Sequence, residues 1–170
     1  MQYKTILFDL DGTLTDPALG ITSGVAHALD YFGDKYDSLK ALEEFIGPPL
    51  REHFMEFCGV SVEKAEEYVK KYREYFGQKG LLENKVYDGI PELLQNLTEK
   101  NYTLVVATSK PEKYAKEILE HFDLAKYFTH ICGSNLDESR GKKEEVIDYA
   151  LELSSNKDKS TILMIGDREY

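Results

Sequence analysis

The sequence predicts an α/β fold: a doubly wound, Rossmann-like parallel sheet core that carries an inserted all-helical segment. Three observations predict it. Four short apolar runs rich in β-branched residues read as buried strands. Helical patterns of crossover length separate the last three runs, as parallel strands require. After the first run, a long stretch shows helical periodicity alone.

The runs are residues 5–8, 103–107, 129–132 and 161–165. Before the second run, a helix is expected to begin at Asp88 or Gly89, with Pro91 in its first turn and Leu93, Leu94 and Leu97 as its apolar stripe. Ser109 is expected to begin the next helix, with Pro111 in the first turn and Tyr114, Ala115, Ile118, Leu119 and Phe122 facing inward. A further helix is expected from about Lys142, with Val146, Ile147, Ala150, Leu151 and Leu153. Between Asp16 and Lys85 the apolar spacing is helical throughout. Ile21, Val25, Ala28, Leu29 and Phe32 come first, then Leu39, Leu42, Phe45 and Ile46 up to Gly47, then Phe54, Met55 and Phe57. Val62, Ala65, Val69, Tyr72 and Phe76 follow, capped by Ser61. The expected organisation is therefore 1–15 plus 86–170 as the α/β core and 16–85 as a helical insert. The chain stops five residues after its last strand-like run, so a C-terminal part of the core is expected to be missing.

Composition narrows the function. An apolar fraction of 42% allows a sizeable core, and a net charge of −10 disfavours nucleic acid and anionic membrane as partners. A phosphorylated substrate must then meet a local cationic site inside a negative field. Cys58 and Cys132 form no metal-binding or redox pair and read as two buried reduced thiols. Without a signal peptide or a bilayer-length apolar run, a cytoplasmic protein is expected.

Ligands of open parallel sheets bind beyond the carboxyl ends of the strands. Asp9-Leu10-Asp11-Gly12-Thr13-Leu14-Thr15-Asp16 follows the first run, Thr108-Ser109-Lys110 the second, and Gly166-Asp167 the last. Asp9 and Asp11 share one side of an extended end, and two such carboxylates repel unless a cation or shared proton intervenes. A hard divalent ion such as Mg²⁺ suits these oxygens. An EF-hand does not fit, because glycine stands at position 4 of the acidic run and a strand, not a helix, precedes it. A plain surface turn is the other reading of Asp11-Gly12.

Asp9-Leu10-Asp11-Gly12-Thr13-Leu14 resembles the first motif of the haloacid dehalogenase superfamily, D-x-D-G-T-[LV]. Thr108 resembles the hydroxyl of the second motif, Lys143 the lysine of the third, and Gly166-Asp167 the start of the fourth. The fourth motif's second acid would fall one residue beyond Tyr170. The resemblance implies that Asp9 is a nucleophile forming an aspartyl-phosphate and that Asp11 is the acid and base. It implies Mg²⁺ held by Asp9, Asp11 (through its carbonyl) and Asp167, with Thr108, Ser109 and Lys143 binding phosphate. Lys142 and Lys110 compete with Lys143 for the last role, Arg140 could assist it, and Arg168 and Glu169 read as loop charges.

The resemblance also implies that the helical insert is a cap that sets specificity. Gly47 and Arg51 lie in the loop Ile46-Gly47-Pro48-Pro49-Leu50-Arg51 that would face substrate, although an ordinary turn with an exposed arginine reads equally well. The implied activity is hydrolysis of a small-molecule phosphate monoester by a monomer or homodimer, similar to phosphoglycolate phosphatases. The alternative is a 5′-nucleotidase of the same superfamily, which Gly133-Ser134-Asn135-Leu136-Asp137 and Gly166-Asp167-Arg168-Glu169-Tyr170 resemble. A sugar phosphomutase and a non-catalytic phosphoacceptor module stand further off. Asp11 argues against dehalogenation, whose enzymes lack this second acid.

Overall fold

The computed structural model describes residues 3–136, 139–154, 156 and 158–167. Asp137, Arg168, Glu169 and Tyr170, on which part of the nucleotidase resemblance rests, lie outside the described residues. The chain runs β1 (Thr5–Phe8), β2 (Thr15–Asp16), α1 (Ala18–Phe32), a 3₁₀ helix (Leu39–Phe45), α2 (Leu50–Cys58) and α3 (Val62–Tyr75). A π-helical turn (Phe76–Gly80), β3 (Lys85–Val86), α4 (Ile90–Glu99), β4 (Thr103–Pro111) and α5 (Glu112–His121) follow. β5 (His130–Ser134), α6 (Lys143–Leu153) and β6 (Ile162–Ile165) complete it. Chain contacts group it into two units, Met1–Asp16 with Val86–Tyr170, and Pro17–Lys85.

Among the described residues of the first unit, four parallel strands stand in the order β5-β4-β1-β6. The winding reverses at β1, since β4 and β5 lie on one side of it and β6 on the other. Such a reversal opens a crevice at the carboxyl ends of the strands. The register sets Phe8 opposite both Val106 and Ile165, so the residues after these three align along one edge. Leu7, Val105, Ala107 and Cys132 pack with Val146 and Ala150 of α6 on one face. Ile6, Phe8, Leu104 and Val106 alternate with them and are equally buried, so both faces are covered. This is the predicted α/β architecture with a parallel core.

The sequence misplaces several boundaries. Ser109 does not begin a helix, because β4 continues to Pro111 and α5 starts at Glu112. Pro111 disfavours a helical conformation at Lys110, and an irregularity between Ala107 and Pro111 lets β4 keep pairing as far as Ser134. Gly133 permits this pairing: a Cβ there would meet the Lys110 carbonyl at 2.5 Å and Glu112 N at 2.6 Å. On α4 only Leu94 of the expected stripe is fully buried, and Leu93 is exposed. The pattern over 39–46 folds as the 3₁₀ helix, opened by the Ser38 hydroxyl accepting the Ala41 amide at 3.3 Å. The two-residue strands β2 and β3 pair with each other and carry no sequence pattern of their own.

The regular structure of the second unit is helical apart from Lys85 of β3. Phe45, Phe54 and Tyr68 stack in series, with ring centroids 5.0 Å and 5.2 Å apart, and Phe32 lies 4.2 Å from Tyr68. Ser61 caps α3 by accepting the Lys64 amide at 3.4 Å, as the sequence predicts. Among the described residues no helix is long and apolar enough to cross a membrane.

Both thiols are free, but only Cys132 is fully buried; Cys58 is half-buried, and its exposed edge corrects the expectation of two buried thiols. Burial pushes both up to about 11, and Asp34 adds to the rise at Cys58. At pH 8 such thiols are about one part in a thousand thiolate. The native chain should therefore react with a disulfide reagent far more slowly than the urea-unfolded chain, as timed thiol titration will record. Gly133→Ala should destabilise the fold by about 1–3 kcal/mol in urea unfolding, because backbone must move to admit the methyl group.

Candidate active site

The loop after β1 is tied down by one carbonyl. Leu10 O accepts the amides of Thr13, Leu14 and Thr15 at 3.2, 2.9 and 3.1 Å, and Gly12 N donates to Thr15 O at 2.8 Å. Leu10 and Leu14 are fully buried. The apolar residues of the acidic octapeptide thus anchor a tight turn, and its acids are displayed from the anchor. Gly12 has φ +77°, and a Cβ on it would lie 2.5 Å from Asp167 Oδ2. The positive φ favours glycine at that position, and any side chain there would displace the Asp167 carboxylate.

Asp9 is 6% exposed. Its Oδ1 accepts the Leu10 amide at 2.8 Å, and its Oδ2 is ion-paired with Lys143 Nζ. Lys143 is the first residue of α6 and is itself buried. Asp11 meets a second buried lysine, Lys110, at 3.0 Å through Oδ2. Burial pushes the Asp11 carboxyl above the usual carboxylate range; Lys110 opposes the shift and Asp9 adds to it. Thr108 is buried at the end of the regular part of β4, and its hydroxyl accepts the Lys110 amide at 3.2 Å, which leaves the hydroxyl proton to be donated. Asp167 follows β6 and lies over Gly12, and Gly166 is close enough that its Cβ would lie 3.9 Å from Asp9 Oδ2.

The first unit therefore brings Asp9, Asp11, Thr108, Lys143 and Asp167 to one edge. Ser109 is half-buried and next in line on β4. Lys143 and Lys110 do not compete for one place, because each faces its own carboxylate. Arg140 is directed elsewhere, to Gly133, Glu112 and Asn135. Gly47 and Arg51 belong to the second unit, where Arg51 pairs with Glu52 at 3.1 Å and Glu66 at 3.9 Å.

Tyr87 escaped the sequence reading, and Lys110 entered it only as an alternative to Lys143 rather than as the partner of Asp11. Lys110 was legible in principle, since it stands two residues from Thr108 on chain held extended by Pro111, and i and i+2 share a side. Tyr87 stands beside the acids, and its phenol is raised by burial and then by Asp16, Asp167 and Asp11. No sequence pattern marks it.

The donors fit a hard divalent cation. The Asp9 and Asp167 carboxylates offer oxygens in the same loop pair, with Asp167 over Gly12 and Gly166 against Asp9. Among the described residues no three His, Cys, Asp or Glu side chains cluster tightly enough to hold a metal by themselves. A cation here would take the Asp9 and Asp167 carboxylates together with backbone oxygen and water.

Comparison with known proteins shows which family the chain belongs to. Over 170 residues the chain is 50% identical to a 5′-nucleotidase of Pseudomonas aeruginosa, covering all of this chain and 76% of that protein. It is 39% identical over 168 residues to tyrosine-protein kinase PtkA of Mycobacterium tuberculosis, covering 98% of this chain and 56% of that one. The crystal structure of a predicted phosphatase from Clostridium acetobutylicum superposes with a TM-score of 0.92 at 49% identity, over 99% of this chain and 77% of that one. The family model described as haloacid dehalogenase-like hydrolase matches residues 6–170, and the chain accordingly belongs to that family and is a phosphatase.

Proposed function

We propose that the chain hydrolyses small-molecule phosphate monoesters with Mg²⁺ through an aspartyl-phosphate on Asp9. One observation carries the reading: at the switch point of the sheet, Asp9 is buried against Lys143 and next to an independently paired Asp11. Asp9 Oδ2 attacks phosphorus in line with the ester oxygen, and the P–O bond to the leaving group breaks. Asp11, its carboxyl raised by burial, protonates the departing oxygen. As carboxylate it then takes a proton from the water that attacks the aspartyl-phosphate, releasing inorganic phosphate and restoring Asp9. Lys143 and the Thr108 hydroxyl stabilise the phosphoryl oxygens, with Ser109 next to them. Mg²⁺, held by Asp9, Asp167 and the Asp11 carbonyl, supplies neutralising charge to those oxygens when bound.

Phosphoglycolate is the substrate that the sequence resemblance puts first. The 50% identity with a protein named 5′-nucleotidase favours nucleoside 5′-monophosphates over it. Choice between them is proposed to lie with Gly47 and Arg51 of the helical unit, where a guanidinium fork could hold a carboxylate or second phosphate.

Phosphate release from phosphoglycolate, nucleoside 5′-monophosphates and sugar phosphates, with Mg²⁺ and with chelator, tests the reading. Release should need Mg²⁺, should favour nucleotides and should vanish in Asp9→Asn; release that survives in Asp9→Asn contradicts the mechanism. Lys143→Met should lower kcat by about a hundredfold or more. It should also destabilise the fold by about 3–5 kcal/mol, because Asp9 is left as an unpaired buried charge. The double variant Asp9→Asn/Lys143→Met should regain much of that stability in urea unfolding, and additive losses would argue against the pair.

A further inference from the structure

We infer that Arg140 is a positioning residue that seats Lys143 on Asp9. Lys143 is buried, so its ammonium cannot search for its partner from an exposed stem. Its place is set by where α6 starts, and α6 is preceded by a loop outside the sheet ladder. Arg140 fixes that loop from three directions. Its Nε donates to Gly133 O at 3.0 Å, at the end of β5. Its Nη2 reaches Asn135 Oδ1 at 3.2 Å and Glu112 Oε2 at 3.4 Å, at the start of α5. Its guanidinium lies 3.9 Å over the ring of Tyr149, on α6 itself.

Glu112 is in turn held by Lys116 at 2.6 Å through its other oxygen. Arg140 adopts φ +55°, a left-handed conformation that a non-glycine residue keeps only where its surroundings impose it. One planar cation three residues before Lys143 thus ties together the end of β5, the start of α5 and the middle of α6. A lysine could not do the same, having neither the fork nor the flat face. Arg140 does not share the phosphate charge; it determines whether Lys143 supplies it.

The catalytic consequence rests on the phosphatase reading, but the seating itself can be observed without turnover. With ¹⁵N-lysine labelling, a buried paired ammonium exchanges its protons slowly enough to give a side-chain signal, and Lys143→Met assigns it. Arg140→Met is expected to lose that signal while unfolding stays cooperative, with Arg140→Lys recovering it only in part. In turnover of p-nitrophenyl phosphate, Arg140→Met should lower kcat about tenfold with KM nearly unchanged. It should have little further effect in a Lys143→Met background.

A folded Arg140→Met chain that keeps the ammonium signal overturns the inference, as does an equal loss of kcat with and without Lys143. Should Arg140→Met not fold, Tyr149→Leu removes the stacking ring alone, and retention or loss of the same signal decides. A signal lost as expected in a chain that never releases phosphate would contradict the proposed activity and leave the seating intact.

Discussion

Two carboxylates set two residues apart on a tight, half-buried turn repel, and the rest of the edge is arranged around that constraint. Each acid has its own lysine: Asp9 has Lys143 from α6, and Asp11 has Lys110 from β4. At an effective dielectric of about 20, unit charges 3 Å apart attract by roughly 5 kcal/mol before desolvation is counted. Desolvation offsets much of that attraction, so the pairs do little for net stability. What they secure is geometry. The Asp9 carboxylate is locked against a buried cation, and Asp11 is held beside it with a raised affinity for its proton.

The fold provides these partners through register. β1 lies between β4 and β6, so the three chain ends that carry Asp9, Thr108 and Asp167 leave the sheet side by side. Gly12 lets the acidic turn pass beneath Asp167, and Gly133 lets β5 approach the β4–α5 junction. That junction bears Lys110 on one side and Glu112, the anchor of Arg140, on the other. Local packing at the ends of three parallel strands is therefore coupled to the electrostatics of the site.

Much of this was legible in the sequence because strands and acids are local signals. Residues 5–8 and 162–165 are apolar runs that stop at an acid or at glycine followed by an acid, and the α/β core follows from their alternation with helices. What escaped depends on partners distant in sequence. The strand-to-helix boundary at Pro111 is set by pairing with Ser134, so Ser109 only mimics a cap. Lys110 looked like one of three interchangeable lysines until β4 was seen to stay extended through it. Tyr87 reaches the acids by following a two-residue strand that no periodicity announces. Arg140 looked like a spare charge for phosphate, whereas its bonds run to Gly133, Asn135 and Glu112.

The central claim is that Asp9 becomes covalently phosphorylated during turnover. The direct measurement is acid-quenched mass spectrometry of the chain mixed with excess substrate and Mg²⁺, followed by mapping of the modified peptide. The account predicts added mass equal to one phosphoryl group on the peptide containing Asp9, removed by hydroxylamine and absent in Asp9→Asn. Phosphate released steadily with no such adduct at any quench time, or an adduct mapped to another residue, would contradict it.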